Sequence, residues 1–118
     1  MAAPNLVNVS TITAKSVQAA LTTTLTTEIL ANASSSGKVF KINNIIIANI
    51  DGSSAVDVSV FITKSGGSPI AIASTISTPA DATLVVVDKN TALYLEEGDN
   101  IEAGAGAASD ATITINYE

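Results

Sequence analysis

Apolar and polar residues alternate with a period of two along most of this chain, the pattern of strands half-buried on one face of a sheet. From Val17 the odd positions read Val17, Ala19, Leu21, Thr23, Leu25, Thr27 and Ile29, with Gln18, Thr22, Thr24 and Glu28 between them. A helical period fits this stretch poorly, and its many threonines would lose χ1 freedom in a helix. The spacing predicts one long strand, or two joined by a bend, ending at the small polar run Asn32–Gly37.

The same period continues. Between Val39 and Ile50 it places Phe40, Ile42, Asn44, Ile46, Ala48 and Ile50 on one face, with Ile45 and Ile47 on the other. Asp51-Gly52-Ser53 reads as a hairpin turn, because glycine accepts positive φ, and Val56, Val58, Val60 and Ile62 then share one side of the next strand. Val39–Ile62 is therefore expected to be a hairpin at the centre of a sheet. Further strands are expected at Ile70–Ile76, Leu84–Val87, Leu93–Leu95, from Ile101, and over Ile113–Tyr117, with Thr78-Pro79-Ala80-Asp81 as a turn and Ala103–Ser109 as a flexible loop.

About eight strands separated by turn clusters indicate an all-β fold, an antiparallel, jelly-roll-like β-sandwich with no significant helix. Absence of any strand-helix-strand pattern argues against a parallel sheet. A chain of 118 residues has room for one core. Residues 15–118 are expected to form that single domain, with residues 1–14 as an N-terminal arm or an edge strand. Aromatics are only 3% of the chain, so Ile, Val, Leu and Ala must fill the interior.

Composition also bounds the chemistry. The chain has no histidine and no cysteine, which removes the familiar nucleophilic triads, thiolate metal sites and disulfides. A net charge of −6, five scattered lysines (Lys15, Lys38, Lys41, Lys64, Lys89) and no arginine argue against a nucleic-acid partner, which requires clustered cations. No stretch approaches the roughly 20 apolar residues that span a bilayer, and Met1–Val9 does not read as a secretory signal, so no membrane partner is expected and synthesis in a cytoplasm is.

No catalytic, cofactor-binding or metal-binding residue is expected. The dense acidic group Glu96, Glu97, Asp99 and Glu102 offers oxygen ligands of the kind Ca²⁺ takes, but Gly98-Asp99 between two alternating segments reads first as a solvated hairpin tip. Gly66-Gly67 and Gly104-Ala105-Gly106 open no helix and lack the lysine of a phosphate loop.

The unusual feature is a second apolar face. Ile45 and Ile47 on one strand and Val85 and Val87 on another lie opposite faces that are themselves apolar. Either the chain's own loops cover them, or they form an assembly interface between copies, a trimer being favoured, since an apolar patch of that size is unstable in water.

Three blocks carry a resemblance: the opening Met1-Ala2-Ala3-Pro4-Asn5-Leu6-Val7-Asn8-Val9-Ser10-Thr11-Ile12-Thr13; Ser36–Asn43 with Ala48-Asn49-Ile50-Asp51-Gly52; and Leu93–Asp99. Together they resemble small virion proteins of marine tailed phages, nearest to those of phages infecting cyanobacteria. A recurring "Leu-x-x-Gly-Asp-x-Ile" element of such proteins is matched here by Leu95–Ile101. The resemblance implies a β-sandwich in the mature particle, not an enzyme. It implies a capsid decoration (cement) protein on the major capsid protein, or else a tail, collar or fibre-base component. A carbohydrate-binding role in host recognition has less support, because such sites favour aromatic platforms and only Tyr94 and Tyr117 are available beside two phenylalanines.

Overall fold

In the computed structural model, which describes residues 11–91 and 93–118, nine strands form two antiparallel sheets. They are β1 (Lys15–Ala20), β2 (Thr27–Ala31), β3 (Phe40–Asn49), β4 (Val56–Thr63), β5 (Ile70–Thr78), β6 (Thr83–Val87), β7 (Leu93–Leu95), β8 (Asn100–Ala105) and β9 (Ala111–Tyr117). Sheet A has the order β1-β9-β3-β6, with β7 also paired to β3, and sheet B has the order β2-β8-β4-β5. The one helical element among the described residues is a 3₁₀ turn at Lys89–Thr91.

The two sheets enclose one core. Sheet A supplies Ile42, Ile45, Ile47, Val87, Ile113 and Ile115, and sheet B supplies Leu30, Val56, Val58, Val60, Ile101 and Ala103, all buried. Val56, Val58 and Val60 point inward together as their spacing requires, with Ile62 half-buried on the same strand. Phe40 and Tyr117 stack with ring centroids 5.0 Å apart at one end of sheet A, and the Lys15 ammonium lies 5.9 Å from the Phe40 ring.

Three expectations are corrected or narrowed. The alternating stretch from Val17 to Ile29, read as one long strand or two joined by a bend, is two strands, and they lie in different sheets. Leu21 N–H donates to Ala111 O at 2.8 Å, whereas the next residue, Thr22, accepts through its carbonyl from Ala105 N–H at 2.9 Å. Successive residues thus bond to opposite sheets, and periodicity alone does not register such a change of layer. Val39–Ile62 is likewise not a hairpin, because β3 belongs to sheet A and β4 to sheet B. The buried Asn49 side chain makes this corner: its Nδ2 donates to Ser54 O (3.0 Å), Thr78 O (2.9 Å) and Pro79 O (3.1 Å), and its Oδ1 accepts from Asp51 N–H (2.9 Å).

The third correction concerns Ala103–Ser109. Ala103, Gly104 and Ala105 are buried strand rather than loop. Ala103 and Ala105 face the core, and Gly104 between them lies under the 21–26 crossover. A Cβ on Gly104 would collide with the Leu25 backbone and stand 2.7 Å from Thr24 O. Of the proposed N-terminal arm, residues 1–10 lie outside the described residues, and 11–14 are exposed and in no strand.

Candidate assembly surface

Ile45, Ile47 and Val87, expected from sequence as part of an assembly interface, are buried in the chain's own core, while Val85 is 56% exposed. The reason is a register shift in β3. Its pairing with β9 slips between Ile42 and Asn44, so one extra residue sits in the strand and the alternation inverts beyond it. Ile42 points inward before the irregularity, and Ile45, Ile47 and Asn49 point inward after it. A matching shift between Ile45 and Ile46 in the β3–β6 pairing leaves Val87 inside and Val85 outside.

Ile46, assigned by unbroken alternation to the same side as Ile42, is therefore on the outer face. The signal that marks the slip is the Asn43-Asn44 pair, two residues of low strand propensity in the middle of an apolar strand.

The outer face of sheet A can be followed across its strands by register. One row is Gln18, Thr114, Ile46, Val85; the next is Ala20, Thr112, Ala48, Thr83. A third row carries Ser16, Asn116 and Asn44, where Asn116 Nδ2 donates to Asn44 Oδ1 at 2.8 Å. None of these side chains is charged. Sheet B differs, with Glu28, Asp57 and Glu102 outside the core positions of β2, β4 and β8.

The acidic group at Glu96–Glu102 is not a solvated hairpin tip. β7 and β8 lie in different sheets, so Leu95–Ile101 is another crossover, and Asp99 is only 2% exposed. Its carboxylate accepts from Lys64 Nζ, from Ser65 N–H at 3.0 Å and from Glu96 N–H at 2.9 Å. Burial opposes its ionisation, but the Lys64 ammonium and the two backbone donors outweigh this and hold the Asp99 carboxyl below its ordinary range. The hydrogen bond to Asp99 in turn raises the Lys64 ammonium above its ordinary value, with Glu96 adding to it.

The other carboxylates of the group are also engaged. Glu96 Oε1 lies 3.2 Å from Lys64 Nζ, Glu97 Oε2 accepts from Gly37 N–H at 3.0 Å, and Glu102 accepts from the Thr63 hydroxyl. Among the described residues no three carboxylates converge as metal ligands. Gly98, with φ +84°, completes the corner: a Cβ there would stand 2.7 Å from Ser65 Oγ.

Asn32 does at this end what Asn49 does at the other. Its buried Nδ2 donates to Lys38 O (2.9 Å) and Leu95 O (3.0 Å), and its Oδ1 accepts from Ser36 Oγ at 2.6 Å. Each asparagine satisfies several loop carbonyls that the strands leave unpaired. The arrangement yields ends tied by side-chain hydrogen bonds and a sheet face with three uncharged rows, Lys41 lying beyond them, which suits packing against another surface.

In comparison with family models, curated proteins and solved structures, the chain matches none.

Proposed function

We propose that this chain is a structural protein of a phage virion, a decoration or cement protein that sits on the outside of the head and ties adjacent capsomers together. The observation that carries this reading is the outer face of sheet A, uncharged over three successive rows with Lys41 only at its β7 end, backed by a core completed within the chain. An acidic protein with a net charge of −6 keeps such a face free of like charge while its other surfaces hold it in solution.

Two of the three blocks that resemble phage virion proteins fall on architectural features. Ala48–Gly52 forms the Asn49 corner, and Leu95–Ile101 forms the crossover around Asp99. Corners built this way suit a particle component, where many modest contacts on a rigid body add to durable attachment. In this reading the protein assembles in the host cytoplasm and remains in the virion, bound to the major capsid protein and to copies of itself.

Copy number tests the assignment. Quantified against the major capsid protein in purified particles, the chain is expected at hundreds of copies per particle. About a dozen copies or fewer would move it to the tail, collar or fibre base, and absence from purified particles would overturn the virion reading altogether.

A further inference from the structure

Sheets A and B end in edge strands, and these are not alike. β2 slips register between Glu28 and Leu30, and β5 slips twice against β4, with Thr75 in the left-handed region at φ 51°. β6 is irregular against β3, and β7 has only three residues. Bulges and short strands are the usual means of making an edge unfit for another strand.

β1 has none of these features. It pairs with β9 without a slip from Lys15↔Tyr117 through Ala20↔Thr112. Lysine commonly guards an edge, but the one charged residue of β1, Lys15, turns its ammonium over the Phe40 ring. The direction of its backbone groups follows from Leu21, whose N–H donates to Ala111 O and whose carbonyl accepts from Ser109 N–H. Alternation then aims the odd residues of β1 at β9 and the peptide groups of Ser16, Gln18 and Ala20 outward. No other described strand pairs with that edge, and these three residues are exposed.

We infer that β1 is a self-association edge, pairing antiparallel with β1 of a second copy across a two-fold axis at Gln18. The occupant is a second copy because the charge pattern suits it. Two chains of charge −6 meet with least repulsion where uncharged surfaces face each other, and Ser16, Gln18 and Ala20 of β1 each begin an uncharged row of sheet A. In this register Ser16 lies opposite Ala20 of the partner subunit and Gln18 opposite Gln18 of the partner subunit. Each such pair exchanges two backbone hydrogen bonds. The two Lys15 residues fall at opposite ends of the ladder, and sheet A continues from one copy into the next. This contact builds pairs, unlike the trimer expected from sequence, and it stands independently of the virion reading.

The absence of native cysteine makes the test direct. In a hydrogen-bonded antiparallel pair the Cα atoms lie about 5.5 Å apart, within the roughly 4.4–6.8 Å that a disulfide bridges. Purified Gln18→Cys in air-saturated buffer is expected to become a covalent dimer on a non-reducing gel, whereas Ser77→Cys on the bulged β5 edge is not. Light scattering on the wild-type chain is expected to give twice its 11.9 kDa mass. Gln18→Pro is expected to weaken the dimer at least tenfold with an unchanged β-type circular dichroism spectrum, since an outward N–H on an edge strand is the one proline can replace. Gln18→Lys, which sets two ammonium groups at the axis, serves the same purpose if proline disturbs the strand. A wild-type protein of single-chain mass at millimolar concentration, a Gln18→Cys chain that cross-links no better than Ser77→Cys, or a folded Gln18→Lys chain that dimerises as tightly as wild type would each overturn the inference.

Discussion

The outer faces of the two sheets differ. Sheet A is regular along β1 and β9 and carries no charge on the three outer rows from Ser16 to Thr83, with Lys41 beyond them beside β7. Sheet B carries Glu28, Asp57 and Glu102 outside, has slips in both its edge strands, and bears the Leu25 crossover pressed onto Gly104. Both sheets contribute to one core, so the difference does not arise from burial. It lies in what each sheet presents to the outside: one face is available for contact, and the other is occupied by the chain's own crossover and by charge.

The sharpest way to break this comparison is at β3, where two neighbouring isoleucines are assigned to opposite faces. Ile47→Asp, which buries an unpaired carboxylate in the core, is expected to cost several kcal/mol and unfold the chain. Ile46→Asp, on the outer face, is expected to leave it folded, with a loss of about 1 kcal/mol or less. Thermal melts followed by circular dichroism decide the matter, and equal losses at both positions would refute the inverted register.

A smaller effect tests the covered face of sheet B. Gly104→Ala places a methyl group against the Leu25 backbone and is expected to cost about 1–3 kcal/mol by overpacking. Thr112→Ala, on the open face of sheet A, is expected to change stability by less than about 0.5 kcal/mol. Urea titrations of the two variants measure the contrast.

The Asp99 corner adds a pH dependence. Because the folded state holds the Asp99 carboxyl below its ordinary range, its contribution is present above the unfolded value of about 3.9 and is lost as pH falls through the lower folded value. Lys64 behaves oppositely, its contribution fading only as pH rises past its raised value. Asp99→Asn is expected to cost about 1–2 kcal/mol at pH 7, discounted because the Lys64 side chain is half exposed. Stability measured down to pH 2 should show the wild-type and Asp99→Asn curves converging. A constant gap would mean that the carboxylate charge contributes nothing.

One small expected effect is a gain. Thr78 is 2% exposed and its Oγ1 has no protein partner, although its carbonyl accepts from Asn49. Thr78→Val replaces that hydroxyl with a methyl of similar shape and is expected to raise stability by about 0.5–1 kcal/mol. A lower melting temperature would show that the hydroxyl is satisfied after all.

Much of the fold is legible in the sequence because side-chain direction in a strand follows a period of two wherever pairing is regular. Val56, Val58 and Val60 are inward by that rule alone, as are Ile113 and Ile115. Turn chemistry located the loops at Asn32–Gly37 and Thr78–Asp81. The candidate surface was less legible. Unbroken alternation puts Ile45 and Ile47 on the wrong side because one extra residue in β3 inverts everything beyond it, and the irregular β3–β6 pairing separates Val87 from Val85. Only Val85 of the expected group stays on the outer face, now beside Ile46. The roles of Asn32 and Asn49 were missed for a related reason, since a buried asparagine and a loop asparagine look the same until the carbonyls around it are known.

The sequence by itself determined the class of the molecule: strands throughout, a core of branched aliphatic residues, and an acidic surface. Each of these depends on residues near one another in the chain, through alternation, χ1 restriction and charge. Which strands share a sheet was decided only by the tertiary structure. The successive bonds of Leu21 and Thr22 to different sheets, the slip at Asn43-Asn44, and the carbonyls gathered by Asn49 from segments up to thirty residues away are settled by which distant backbone groups complete one another's hydrogen bonds.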